Sequence, residues 1–292
     1  MKIALAYLAV VLIWSTTPLA IKWSGEGPGY LFGVSARMGI GAVCVMLYLL
    51  LRWQWLPWHR RAILCYLAVS GQIYASMLAV YWGAQFIPSG WVSVVFGLTP
   101  MLTALMAAIW LKENSLRPAK ILAYLLGLSG LGVMFGSALD FSRDAIWGIC
   151  GVLLASALQA ASSVAVKRID AKLPTMSMLG GGLLFSVVAY LATWLLVDGH
   201  WPESLPLASS LSILYLGLVA TTLGFAMYYF VLKQLSPTQV ALIPLLTPVM
   251  ALALGYFANH EPLTPRLMIG TALILAAVLI HEFRLPIREP GR

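Results

Sequence analysis

Residues 90–111 read GWVSVVFGLTPMLTALMAAIWL, a run of 22 residues without a charged side chain. One helical crossing of a bilayer takes roughly 20 apolar residues, whereas shorter apolar runs are typical of helices buried in soluble proteins. The chain holds ten apolar runs of similar length, at 3–22, 30–51, 63–85, 90–111, 119–138, 145–166, 176–197, 209–232, 237–258 and 266–284. The sequence therefore predicts an all-α integral membrane protein with ten transmembrane helices.

The composition of the 292-residue chain excludes a water-soluble globule. Apolar residues make up 61% and charged residues 10%, whereas a soluble domain carries about 25% charged residues. The net charge is +8, and the basic residues stand mostly at the ends of apolar runs. We therefore expect them to face the anionic lipid bilayer and expect no nucleic acid. The chain is predicted to act as a monomer without an obligate protein partner.

Lysines and arginines are distributed unevenly between the two sides of the predicted bundle. Arg37 lies inside the second span and is left out of the count. With a cytoplasmic N-terminus, fourteen of the other basic residues fall on the cytoplasmic side and three, Lys22, Arg143 and Arg266, fall on the other. Positive residues accumulate in cytoplasmic loops. The asymmetry predicts an even number of spans with both termini in the cytoplasm.

The run at 90–111 has a counterpart 148 residues further along the chain. The Leu-Thr-Pro block at 98–100 falls on the same block at 246–248, and Glu113 falls on Glu261. A repeat of five spans must invert because five is odd, and inverted repeats are typical of alternating-access transporters. We expect two inverted five-helix repeats around a central cavity. The predicted repeats are residues 1–140 and 141–292.

These residues resemble the drug/metabolite transporter superfamily, and within it the EamA-like ten-helix permeases. The resemblance rests on the stretch from Trp14 to Lys22, on Arg37, on the two Thr-Pro blocks and on the two glutamates. Its details are closest to the YddG-type exporters of aromatic amino acids. The resemblance implies ten helices around a central cavity, a bacterial inner membrane and the efflux of small solutes.

Rings, hydroxyls and amides at helical spacing follow the predicted spans. Such an uncharged wall suits a neutral or zwitterionic solute with an apolar side chain, because aromatic rings stack on one another. Ordinary packing or contact with lipid is the alternative for each residue. The predicted substrate-binding residues are Trp14, Tyr74, Met77, Tyr81, Trp91, Val95, Thr99, Gln159, Ser163, Thr222, Phe225, Tyr229, Ile243 and Thr247.

Four prolines fall inside predicted spans. A proline within a helix removes a hydrogen-bond donor and displaces the carbonyl four residues before it. In a membrane the freed groups need other partners, which a wet midplane cavity supplies. Pro18, Pro100, Pro244 and Pro248 are therefore candidate gating or hinge residues, and plain helix kinks are the alternative.

Four charged residues are candidate charge partners: Lys22, Arg37, Glu113 and Glu261. Arg37 lies about two turns inside the second span, where a charge facing lipid costs several kcal/mol. It either pairs with a carboxylate, of a substrate or of the protein, or has a structural role with a backbone carbonyl as partner. Helix capping or pairing with a nearby base is the alternative for the two glutamates.

Glycines cluster in the fifth and seventh predicted spans. Small residues let membrane helices approach one another closely. We expect Gly127, Gly130, Gly132, Gly136 and the run from Gly180 to Gly182 to serve helix packing.

The sequence has neither a phosphate-binding loop nor a zinc-ligand or catalytic motif. We therefore expect no enzymatic activity, cofactor or metal. None of the ten acidic residues lies in the middle of a span, which favours facilitated diffusion over coupling through a buried carboxylate. The sequence thus predicts an exporter of aromatic and other large neutral amino acids. The alternatives are an exporter of lipophilic cations, possibly proton-coupled, and a non-transporting scaffold or sensor.

Overall fold

A computed structural model describes residues 2–112, 118–235 and 243–282. The described residues form ten helical segments and contain no strand. The segments are α1 (Lys2–Gly25), α2 (Tyr30–Leu51), α3 (Arg60–Ala84), α4 (Ser89–Trp110), α5 (Pro118–Phe141), α6 (Ala145–Ile169), α7 (Thr175–Val197), α8 (207–234), α9 (Ile243–Asn259) and α10 (Pro265–Glu282). All but α8 and α9 meet the length and hydropathy expected of a membrane span, and these two contain shorter apolar helices. The predicted all-α membrane fold is confirmed.

Two of the long helices contain a turn that is wider than an α-helical turn. Residues Gly71–Ser76 of α3 and Tyr215–Leu223 of α8 are π-helical. A shift of 148 residues places the first segment on 219–224, so the two wide turns overlap in the two halves of the sequence. Such turns are rare in proteins as a whole, but those that occur are often found at functional sites. Nothing in the apolar periodicity predicted them.

Helix α4 is bent rather than straight. It consists of Ser89–Phe96 and Thr99–Trp110, with one tight turn between them. Pro100 has no N–H for the carbonyl of Phe96, and the Oγ1 of Thr99 donates to that carbonyl instead at 2.6 Å. The hydroxyl therefore supplies the partner that a membrane helix requires at this point.

The four prolines do not occupy equivalent positions. Pro18 and Pro248 lie inside continuous helices, as expected. Pro100 lies in the first turn of the second piece of α4, and Pro244 is the second described residue of α9. Because residues 236–242 lie outside the described residues, the position of Pro244 within its span is not defined, and the gating role of all four prolines stays a prediction.

Helices α5 and α10 pack chiefly against each other. At their crossing, a Cβ on Gly130 would lie 2.8 Å from the carbonyl oxygen of Gly270. The expected packing role therefore holds for Gly130. It is wrong for Gly132 and Gly136, where a Cβ would meet nothing within 4 Å. Residues two positions apart in an α-helix point to nearly opposite faces. The glycines of this cluster therefore cannot all face the same neighbouring helix.

Candidate functional site

A buried arginine joins three helices. Arg37 of α2 is only 6% exposed. Its Nε donates to the Oγ1 of Thr221 on α8 at 3.2 Å, and its Nη1 donates to the hydroxyl of Tyr81 on α3 at 3.4 Å. Helices α2 and α8 approach closely here because Gly41 and Gly217 lack side chains at the contact. No carboxylate of the described residues lies within 4 Å of the guanidinium group.

Tyrosines continue this polar region toward α7. The hydroxyl of Tyr190 donates to the carbonyls of Ile73 and Tyr74, at 2.8 and 3.1 Å, both inside the wide turn of α3. The hydroxyls of Tyr74 and Thr193 lie 2.6 Å apart, and the rings of Tyr74 and Tyr190 meet edge to face at 4.9 Å. Tyr190 thus satisfies main-chain acceptors at the point where the helix widens.

We name this group the arginine–tyrosine cluster; its members are Arg37, Tyr74, Tyr81, Tyr190, Thr193 and Thr221. Sequence reasoning identified three of the six. It missed Tyr190, Thr193 and Thr221, although hydroxyls inside otherwise apolar spans were a usable signal. Thr221 was passed over for its neighbour Thr222, which the 148-residue shift places on Tyr74.

We expect Tyr190→Phe to lower the thermal stability of the protein. The change leaves the ring in place but strips the buried carbonyls of Ile73 and Tyr74 of a donor, which costs about 1–3 kcal/mol. Thermal unfolding in detergent micelles measures the effect. Tyr256→Phe is the matched control, because Tyr256 is exposed and rests against Phe257. Equal melting temperatures for the two variants would show that the Tyr190 hydroxyl does not stabilise the protein.

A second polar group closes one end of the bundle. Glu261 is 7% exposed, and its carboxylate accepts hydrogen bonds from Ser89 N at 2.9 Å, Ser89 Oγ at 3.0 Å and Gly90 N at 3.3 Å. Asn259 Nδ2 donates a fourth at 2.9 Å. The carboxylate therefore caps the start of α4, where the helix dipole and free N–H groups favour an anion.

Lys22 lies beside this carboxylate. Its Nζ is 3.8 Å from Oε1 of Glu261 and donates to the carbonyl of Ile87 at 3.3 Å. Lys22 and Glu261, two of the four predicted charge partners, are thus paired with each other. Glu113 lies outside the described residues.

Side chains of α1 and α4 are densely buried at the end of the bundle that holds Glu261. In the first half of α4, residues 89–92, 94 and 95 are buried, as are residues 18–21 of α1. Beyond the bend, Pro100 and residues 102–104 are half-buried, and on α6 Ser163 is exposed. We call the densely buried region around Lys22, Ser89 and Glu261 the closed end.

Three of the predicted substrate-binding residues are almost completely buried. Trp91 is 1% exposed and its ring contacts Phe141 of α5 at 5.9 Å, while its Nε1 has no partner among the described residues. Val95 and Ile243 are completely buried. Their neighbours belong to the hydrophobic core of the bundle. The role of these three residues in substrate binding stays a prediction.

The remaining predicted residues lie on several helices. Trp14 of α1 stacks on Tyr228 of α8, with ring centroids 4.9 Å apart. On α8, Thr222 bonds to its own helix and Phe225 is partly buried. Met77, Gln159 and Thr247 are partly or fully buried on α3, α6 and α9. The side chain of Tyr229 lies outside the described part of the structure.

Two surface cavities lie at the opposite end of the bundle from Glu261. One has a volume of about 330 Å³ and lies among residues 46–58, between α2 and α3. The other, of about 660 Å³, lies between the start of α3 and residues 168–172. Neither is lined by a predicted substrate-binding residue.

In the described ranges, no three His, Cys, Asp or Glu side chains come close enough together to hold a metal ion.

The EamA-like transporter family matches this sequence twice, at residues 1–136 and 146–281. The uncharacterized transporter YoaV of Bacillus subtilis (strain 168) is 26% identical over 287 residues, covering 97% of each chain. A protein of Salmonella typhimurium named a probable amino-acid metabolite efflux pump is 28% identical over 213 residues, covering 70% of this chain and 71% of that protein.

A solved crystal structure has the same fold. It superposes with a TM-score of 0.64 over 96% of this chain and 97% of that chain, at 22% sequence identity. The likeness therefore concerns the arrangement of the helices alone. The two-fold family match and this fold together confirm the resemblance to EamA-like permeases on which the sequence analysis relied.

Proposed function

Because this chain belongs to the EamA-like transporter family, we propose that it exports amino acids with aromatic or other large neutral side chains. Transport proceeds by alternating access, and no ion gradient drives it. The Salmonella relative supports the substrate class, since it is named a probable amino-acid metabolite efflux pump.

The observation that carries the proposal is the chemistry of the arginine–tyrosine cluster. It offers three aromatic rings, several hydroxyls and one cation, and no described carboxylate lies within ion-pairing distance of that cation. Rings suit an apolar side chain, and the polar groups suit the charged ends of a zwitterion. A lipophilic cation, the rival substrate, would be repelled by Arg37.

The closed end supports alternating access. Side chains are densely buried where Glu261 of the second half caps α4 of the first half, while side chains toward the other end are more accessible. Opening the closed end separates the two halves along this contact. A zwitterion carries no net charge, so the membrane potential does no work on it and flux follows its concentration gradient.

The remaining features of the proposal follow from the sequence. The chain works as a monomer in the bacterial inner membrane with both termini in the cytoplasm, and the closed end then faces away from the cytoplasm. It requires no cofactor, catalyses no reaction and binds no nucleic acid.

Counterflow in proteoliposomes tests the proposal. Vesicles loaded with unlabelled phenylalanine are expected to accumulate labelled phenylalanine from outside without a proton or sodium gradient, and a protonophore is expected to leave the rate unchanged. Vesicles without protein are the control. Absence of exchange for both phenylalanine and tryptophan contradicts the substrate class, and exchange that appears only with an imposed gradient contradicts the mechanism.

A further inference from the structure

We propose that Arg37 binds the carboxylate of the transported solute, an inference that rests on the proposed function for the identity of that solute. The site consists of the guanidinium group with Tyr81 and Thr221, and it takes a carboxylate attached to an apolar or aromatic body.

The hydrogen bonds of Arg37 leave donors unused. A guanidinium group has five N–H donors, and the described contacts engage only Nε and Nη1. Nη2 bonds to no described residue, yet it is not among the fully enclosed atoms that lack a partner. Among the described residues, the N–H groups of Nη2 therefore have no acceptor.

The charge of Arg37 is also uncompensated by the described residues. The hydroxyls of Tyr81 and Thr221 solvate the cation but carry no negative charge. A cation in the low-dielectric interior of a membrane protein is costly unless an anion accompanies it. A solute carboxylate supplies that anion, and the planar guanidinium group matches it with two parallel hydrogen bonds.

The position of the cluster connects binding with movement of the two halves. Tyr81 follows the wide turn of α3, while Thr221 lies within the wide turn of α8. Arg37 thus contacts one helix from each half of the sequence. The rings of Tyr74 and Tyr190 meet edge to face at 4.9 Å on α3 and α7, and we assign to them the apolar surface that receives the side chain of the solute.

Competition against labelled phenylalanine in the counterflow assay tests the carboxylate site. In the wild type, we expect phenylalaninamide, which lacks the carboxylate, to compete at least about tenfold more weakly than phenylalanine. The loss of one charge-assisted hydrogen bond weakens binding by about this factor. We expect Arg37→Gln to raise the half-saturating phenylalanine concentration at least about tenfold and to abolish the preference for the acid over the amide.

Two further variants separate recognition from folding. Arg37→Lys keeps the charge but loses the paired geometry, so it is expected to retain part of the preference for the acid. Arg52→Gln is the matched control, because Arg52 ends the same helix, is exposed and lies over the ring of Tyr48; it is expected to leave transport unchanged. A folded Arg37→Gln protein with the affinity and selectivity of the wild type overturns the inference.

A binding assay distinguishes this inference from the proposed function. 3-Phenylpropanoate, which has a ring and a carboxylate but no ammonium group, is expected to raise the melting temperature of the wild type in detergent. It is expected not to do so for Arg37→Gln, and 2-phenylethylamine is expected to stabilise neither protein. A wild type that exchanges no amino acid but passes this test refutes the proposed function alone. One that exchanges phenylalanine but shows no carboxylate preference in either assay refutes the inference alone.

Discussion

Glu261→Ala is expected to open the closed end to water and to slow amino-acid exchange at least tenfold. The carboxylate accepts four hydrogen bonds, three of them from the first residues of α4, and it lies beside Lys22. Removing a buried, hydrogen-bonded charge costs about 3–5 kcal/mol in the state that contains it. Since about 1.4 kcal/mol corresponds to a tenfold change in an equilibrium constant, the ratio of the closed to the open state falls by at least about two orders of magnitude.

Cysteine labelling measures the opening directly. Val94 is completely buried in the first half of α4, so Val94→Cys is placed in a protein whose Cys44, Cys65 and Cys150 are replaced by serine. A membrane-impermeant maleimide is expected to label this cysteine at least tenfold faster when Glu261→Ala is added.

Asp140→Ala is the matched control for the loss of Glu261. Asp140 also pairs with a base, Arg266, but both side chains are exposed, and exposed pairs contribute about 0–1 kcal/mol. The control is expected to leave labelling and exchange unchanged. If the maleimide labels Val94→Cys at the same rate with and without Glu261→Ala, Glu261 does not hold the end closed.

Gly130→Leu is expected to have the largest effect on stability. The new Cβ would meet the main chain of α10, which lies 2.8 Å away at Gly270 and 3.0 Å away at Ile274 N. A backbone cannot swing aside as a flexible side chain does, so the α5–α10 pair must separate. Overpacking in a close-packed interior costs typically about 1–3 kcal/mol, and we expect at least the upper value here.

Thermal unfolding in detergent, together with the yield of monodisperse protein, checks this prediction. Gly132→Leu on the same helix is the control, since its Cβ would meet nothing within 4 Å. The control is expected to stay within about 0.5 kcal/mol of the wild type. Similar melting temperatures for the two variants would show that the α5–α10 crossing tolerates a side chain.

The helical architecture could be derived from the amino-acid sequence because each helix depends on the length and composition of its own apolar run. A run such as 90–111 must satisfy its own backbone hydrogen bonds in lipid, and only a helix achieves this within one segment. The family could be recognised for a similar reason: the residues that carry the resemblance stand at recognisable positions within these runs. Lys22 and Glu261 could be picked out as well, because a charge at the end of an apolar run is conspicuous.

The contacts of the candidate site depended on tertiary structure. The 148-residue shift selected Thr222 as the counterpart of Tyr74, whereas Arg37 bonds to Thr221, which lies in the same wide turn of α8. Partners such as Tyr190 and the main chain of α3, or Glu261 and Ser89, are separated by more than 100 residues. No short-range pattern encodes such a pairing, because it arises only when whole helices pack and each buried polar group must find the donor or acceptor that the neighbouring helix presents.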